Sequence, residues 1–334
     1  MEGGKMVDQT LLYLSKEDVE KVGITMEEII EILEKVYVLK SEDKVEMPPK
    51  PGIHPSGDAF IHAMPAYIPD LKAAGIKWVS GYPQNTEKGL PYISGLIILN
   101  DPETGFPVAV MDAVWITAKR TGAATAIAAK HLARADSRTI GIIGCGVQGR
   151  SNLEALMVVQ KKIKSVITYD INKEKAEMYI KEMHPVFPKL EFINVKTPKE
   201  VVAESDIVVT AAPILKHPNP VIEADWFKEG TFASPVDFDS YWKPSAMALV
   251  DKFCTDDRNQ IAYYKKLGYF KKIPEIYADL GELVSGKKPG RENKKERTMA
   301  VNLGLALNDV STGIVIYNRA KEKGIGLELP LKLF

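Results

Sequence analysis

Thr139-Ile140-Gly141-Ile142-Ile143-Gly144-Cys145-Gly146-Val147-Gln148-Gly149-Arg150 is the stretch whose reading decides the fold. TIGII is a short apolar, β-branched run and predicts a buried strand; VQGRSNLEALMVVQ, directly after it, has helical spacing. Between them GCGVQG carries the GxGxxG pattern. The next strand, SVITY, ends in Asp170, about twenty residues beyond the glycines, as a dinucleotide-binding unit requires. Gly144 permits the tight turn, Gly146 lets the backbone approach a pyrophosphate, and Gly149 lets strand and helix pack closely. Val147 and Gln148 open the helix, whose first N–H groups face the phosphates. An acid at the strand end accepts the ribose hydroxyls and repels a 2′-phosphate, and Ile171-Asn172 brings no arginine. NAD is therefore expected in preference to NADP.

The alternation extends well beyond this unit. LEFINV, DIVVTAA and GTFASPV read as further strands, with helices over NKEKAEMYIKEM and TPKEVVAES between them. That order predicts an α/β fold, a doubly wound parallel sheet of Rossmann type. The N-terminal third has a different pattern. Leu11–Leu14 reads as a strand, Ser15 with Asp18 and Thr25 with Glu28 have capping-box spacing, and Ile29, Ile30, Leu33, Val36 and Tyr37 recur on one helix face. MPPKPGIHPSG is a loop by composition, which leaves any charge on it available to a ligand. AAGIKWVSG, YISGLIILN and FPVAVMD predict strands with antiparallel pairing, the last two joined by DPETG. A helix follows through AVWITAKRTGAATAIAAKHLARA. The last helix is expected at about Met299 to Lys323, and SGKKPGRENKKER before it reads as a solvated basic loop.

Bulk composition narrows the function classes. Lys plus Arg and Asp plus Glu both number 44, so no net field draws the protein to nucleic acid or an anionic membrane. The two cysteines, Cys145 and Cys254, make neither a disulfide framework nor a zinc site, and no second ligand stands at metal spacing from His54, His62 or His217. The start MEGGKMVDQT has no apolar leader pattern, and no window is long and apolar enough for a membrane span. A cytoplasmic protein without a metal is expected.

On MPPK at 47–50, MPAYI at 64–68, GIKWVSGYPQNTEKGLP at 75–91, LNDPETGFPVAVMD, KRTGAATAIAAKHLAR, GCGVQGR and IYADLGELVSGKKPGR, the chain resembles the ornithine cyclodeaminase/μ-crystallin family. The resemblance implies a substrate-binding and dimerisation domain over 1–118, completed by 308–334, and an NAD(P)-binding domain over 119–307. It implies a homodimer acting on a small amino or imino acid. It places Lys77 and Arg120 at the substrate, and with them Lys50 at the end of MPPK, where the family usually has arginine. Thr121, Gly122 and Ala123 would approach the cofactor phosphates, Ala211 would line the cofactor site, and Asp309 would lie near the nicotinamide.

The chemistry of these residue types agrees. Arg120 offers a planar fork to a carboxylate before a run of small residues. Lys77 is the one charge in its apolar strand and can serve as acid or base where burial tunes it. Asp309 is read as catalytic or, equally, as a paired helix acid, and His62 as a substrate contact or a satisfied core histidine. The aspartate that cyclodeaminases carry just past the strand that here reads IVVTAAPILKHPNP is missing from that loop; Asp237 or Asp239, in ASPVDFDSYW, could replace it or be turn residues. The expected activity is NAD(H)-dependent oxidoreduction at the C–N bond of a small L-amino acid or its imine, of the alanine dehydrogenase or ketimine reductase type. Two alternatives are ornithine cyclodeamination and a non-catalytic dinucleotide-dependent binding protein of μ-crystallin type.

Overall fold

The computed structural model describes residues 9–331. The reading of the extreme N-terminus lies largely outside them. The chain divides into two compact units, one drawn from Met1–Thr25, Lys44–Thr117 and Ala306–Phe334, the other from Met26–Asp43 and Ala118–Leu305. The long stretch of the second unit runs from Ala118 to Leu305. The helix after Thr25 belongs to the second unit as well.

The first unit is a seven-stranded sheet. Its strands are β1 (Gln9–Leu14), β2 (Gly52–Ile53), β3 (Phe60–Ile68), β4 (Ala73–Gly81), β5 (Ile93–Asn100) and β6 (Pro107–Asp112), with β15 (Leu327–Leu331) closing the chain, in the order β15-β1-β6-β5-β4-β3-β2. Pairing is antiparallel except between β1 and β6. Ser15 and Asp18 form the expected capping box of α1 (Lys16–Lys21). Strand alternation sends Met64, Ala66, Lys77, Val79, Ile97, Leu99, Ala109 and Met111 to one buried face, against which α10 (Ala306–Lys323) packs. Gly313 of α10 lies over that face; a Cβ there would stand 3.6 Å from Ile97 and 3.7 Å from Leu99 and Met111. Tyr67, Trp78 and Leu96 point to the other face and are exposed.

The second unit opens with α2 (Met26–Ser41), whose buried residues are the five expected from its helical spacing. After α3 (Val114–Leu132), which begins in the first unit, come β7 (Thr139–Ile143), α4 (Val147–Val159), β8 (Ser165–Tyr169), α5 (Lys173–Val186), β9 (Glu191–Asn194), α6 (Pro198–Glu204), β10 (Ile207–Thr210) and β11 (Phe232–Pro235). Then follow α7 (Pro244–Met247), β12 (Lys252–Thr255), α8 (Arg258–Lys266), β13 (Ala278–Asp279), α9 (Leu280–Val284) and β14 (Thr298–Val301). Eight strands pair in parallel in the order β13-β12-β14-β11-β10-β7-β8-β9. The order reverses between β7 and β10, and the crevice beyond the carboxyl ends of strands at such a switch point is where ligands bind in open α/β sheets.

Two expectations need correction. Met299 is not helical: Thr298–Val301 is a central strand of the parallel sheet, and the last helix starts at Ala306. The basic loop is only partly solvated. Arg291 donates to the carbonyls of Leu132 and Glu296 and to the Thr298 hydroxyl, and a Cβ on Gly290 would meet the His131 carbonyl at 2.3 Å. The loop thus fastens the end of α3 to β14.

Candidate active site

The glycine turn of the second unit has the geometry its spacing implies. Gly144 adopts φ +94°, and a Cβ there would stand 2.6 Å from the Ala211 carbonyl oxygen at the end of β10. A Cβ on Gly149 would lie 2.5 Å from the Gly144 carbonyl, so this glycine serves helix–strand packing. Gly146 differs from both, since a Cβ built on it meets nothing within 4 Å. That open space faces the start of α4, where Gly146 caps the helix with no side-chain hydrogen bond and Val147 is exposed. The unclaimed N–H groups and the vacant approach suit a pyrophosphate. The residues present therefore fit a dinucleotide.

Asp170 stands on the rim of this turn. Its carboxylate accepts from the Cys145 N–H at 2.8 Å and the Asn172 N–H at 2.9 Å, which fixes it beside the glycines. Burial, and then the Asp170 charge, push the Cys145 thiol up to about 12, so it is no nucleophile at neutral pH. Gly122 and Ala123 are both buried in α3. A Cβ on Gly122 would stand 2.4 Å from the Ser151 carbonyl, so Gly122 serves the close packing of α3 on α4. Thr121, half-buried, keeps more access.

Asp237 is fully buried just past β11 and accepts from Thr210 Oγ1 at 2.7 Å and the Ala212 N–H at 3.0 Å. Asp239 accepts from the Phe270 N–H at 3.0 Å. Both carboxylates are engaged by their own unit, and Asp237 braces the end of β10 beside the glycine turn. Burial raises the Asp237 pKa to about 7, against the lowering effect of its hydrogen bonds. Because the folded-state pKa exceeds the unfolded one, the folded protein holds the extra proton between about 4 and about 7 and loses stability as pH rises through that window. Asp237→Asn should therefore melt increasingly above the parent as pH rises across this window, with the difference levelling off beyond it. Thermal melts over that range check the expectation, and a pH-independent difference would contradict it.

Arg120 lies in α3 with its side chain almost wholly buried. In the first unit, Lys77 is the inward-facing charge of β4, and its Nζ meets Asp309 Oδ2 at 2.7 Å. Both side chains are at most 1% exposed. Nζ also donates to Thr117 Oγ1 at 3.3 Å. Asp309 occupies the first turn of α10, where the helix dipole favours a carboxylate. The pair is thus built from a strand, a helix N-terminus and the start of α3.

Lys50 is buried too, although the proline-rich loop suggested an available charge. His62 stacks on Phe60 with centroids 4.3 Å apart, and a Cβ on Gly52 would strike its Cδ2 at 2.1 Å. Burial, followed by the Lys50, His54 and Lys77 charges, lowers the His62 pKa to about 3. The imidazole stays neutral at physiological pH and offers one donor and one acceptor nitrogen among cations. Neither the Thr117 contact nor the bracing by Asp237 was visible in the sequence, because each depends on chain segments brought together only by the fold.

Residues 10–324 match the ornithine cyclodeaminase/mu-crystallin family. The chain belongs to this family. Among its members, alanine dehydrogenase of Archaeoglobus fulgidus is 36% identical over 329 residues, covering 95% of this chain and 98% of that protein. The solved Δ1-pyrroline-2-carboxylate reductase of Thermococcus litoralis, in complex with NADH and L-proline, superposes with a TM-score of 0.87 at 36% identity, covering 96% of this chain and all of that one. An archaeal alanine dehydrogenase, described as a dimer with bound NAD, gives a TM-score of 0.85 at 34% identity and covers 98% of this chain and 100% of that one. Family membership and the α/β fold with a Rossmann-type unit agree with the motifs read above.

Proposed function

We propose that this protein is an NAD(H)-dependent oxidoreductase acting on the C–N bond of a small L-amino acid or its imine. The observation that carries the reading is the buried Lys77–Asp309 pair, 2.7 Å long and touched by Thr117, in a chain whose second unit holds an open glycine turn. Two of its relatives, an alanine dehydrogenase and a Δ1-pyrroline-2-carboxylate reductase, share this chemistry. Bound NAD would accept a hydride from the α-carbon, and NADH would return it.

The protein's own groups bind, orient and move protons. The backbone at Gly146 and the first turn of α4 hold the pyrophosphate, with Val147, Gln148, Thr121 and Ala211 lining the site, and Asp170 holds the ribose and disfavours a 2′-phosphate. Arg120 takes the substrate carboxylate. Lys77, steadied by Asp309 and Thr117, gives a proton to the imine nitrogen in reduction and recovers it in oxidation. In oxidation the amino acid loses a hydride and a proton to become an imine, and water then releases ammonia and a keto acid from an acyclic imine. Both cysteines are buried and unbridged, which suits a reducing cytoplasm. A screen of L-amino acids with NAD and NADP, and of keto acids plus ammonia or cyclic imines with the reduced forms, tests the reading. Turnover of at least one pair, with NAD preferred, is the expected result; no turnover with any would overturn it.

The assembly we infer is a homodimer joined through the outer face of the seven-stranded sheet. Trp78 is 47% exposed, Leu96 43%, Tyr67 37% and Tyr13 39%, an apolar surface of the kind that marks an interface. The archaeal alanine dehydrogenase neighbour is described as a dimer. Trp78→Glu should shift the protein to the monomer mass in light scattering, since it places a charge on that surface. A dimer that persists would place the interface elsewhere.

A further inference from the structure

Arg120 does not hold its position unaided. The space that a side chain on residue 304 would fill is taken by its guanidinium: a Cβ on Gly304 would stand 2.1 Å from Nη1 and 2.9 Å from Cζ and Nη2. Gly304 has φ +80°, a conformation that side-chain-bearing residues rarely adopt. Two reasons for glycine therefore coincide at one position, a left-handed backbone and the arginine lying against it.

A glycine in a connecting segment is free to move unless something restrains it. Asp256 supplies the restraint. Fully buried just after β12, its carboxylate accepts from the Leu303 N–H at 3.0 Å with Oδ1 and from the Gly304 N–H at 2.7 Å with Oδ2. A two-pronged, charge-assisted grip of this kind fixes both the place and the tilt of the peptide between β14 and α10. The orientation of a guanidinium plane decides whether it can meet a carboxylate with two parallel hydrogen bonds.

We propose that Asp256 and Gly304 are positioning residues for Arg120: the Asp256 carboxylate clamps the Leu303–Gly304 backbone, and side-chain-free Gly304 is the floor that sets the arginine fork for the substrate carboxylate. This rests on the reading of Arg120 as the carboxylate anchor. Neither residue touches substrate in this scheme. The consequence is a device that tunes substrate affinity without altering the dinucleotide site.

The test is a double-mutant cycle in the full-length protein. Gly304→Ala should raise the substrate KM about tenfold or more, with a smaller change in kcat and NADH affinity held within about twofold. In an Arg120→Ala background, Gly304→Ala should leave kcat/KM nearly unchanged, because the added methyl then has room. The backbone strain at φ +80° is common to both backgrounds and cancels in the cycle. Additive losses would overturn the proposal. Asp256→Asn should also raise KM in the Arg120 protein, and an unchanged KM in a protein that melts normally would remove Asp256 from the device. The same cycle read by melting temperature keeps the proposal separate from the functional reading. If the parent turns over no amino or imino acid, that reading fails, while non-additive melting of the Gly304 and Arg120 variants still supports the contact and additive melting still refutes it.

Discussion

Lys77→Met is expected to lower turnover by roughly a hundredfold or more, the usual scale for loss of general acid–base catalysis, while leaving NADH affinity as it was. The structure adds a second effect. Lys77 is the ion partner of Asp309 at 2.7 Å, and both are buried, so methionine removes the cation beside a buried carboxylate, and breaking such a pair costs about 3–5 kcal/mol. The single variant should melt well below the parent. Adding Asp309→Asn removes that buried charge and should restore much of the melting temperature without restoring turnover. Low turnover in both variants, with stability recovered in the second, would show that the lost rate does not come from lost stability. Near-normal turnover in the Lys77→Met protein at every pH would make Lys77 structural.

The second large effect concerns the glycine turn. Gly146→Val should abolish NADH binding and leave the thermal melt close to the parent, because its side chain projects into space where no protein atom stands within 4 Å. Gly149→Val is the contrasting case: its side chain would run into the Gly144 carbonyl, which a Cβ already approaches to 2.5 Å, and the fold itself should suffer. Binding measured by NADH fluorescence, beside melts of both variants, separates the two roles. Tight NADH binding by Gly146→Val would show that the dinucleotide does not use this turn.

Much of this architecture was legible because the signals are local. A strand, a GxGxxG turn and a helix lie side by side in the sequence, and β7 to β11 with the helices between them follow from period and punctuation alone. What escaped depended on partners far along the chain. β3 contains Pro65 and follows a proline-rich loop, so its sequence argues against a strand, yet it pairs along its length with β4. β14 is four residues long and runs toward a helix, and only its place between β11 and β12 makes it a strand. β15 carries Pro330 and pairs with β1 at the edge of the sheet. The helix Met26–Ser41 reads correctly as a helix, but nothing local says which unit its apolar face will join.

The candidate site divides in the same way. Lys77, Arg120 and Asp309 were singled out by resemblance and residue chemistry, but the pairing of Lys77 with Asp309 needed the sheet and α10 in place. Lys50 looked available on its loop and is instead buried, because Gly52–Ile53 pairs with β3 and draws the segment against the sheet. Asp237 and Asp239 looked equally able to supply a carboxylate to substrate or to close a turn. Their bonds to Thr210, Ala212 and Phe270 show them holding backbone and side chains of their own unit.

The central claim is that the hydride leaves with the cofactor. The most direct measurement follows NADH absorbance and ammonia together, with L-alanine, L-proline and L-ornithine each supplied with NAD, and with pyruvate plus ammonia or Δ1-pyrroline-2-carboxylate supplied with NADH. Net NADH formation or consumption, equal in amount to the amino acid oxidised or the imine reduced, is the expected result. Ammonia released from ornithine with no net change in NADH would contradict it and identify a cyclodeaminase.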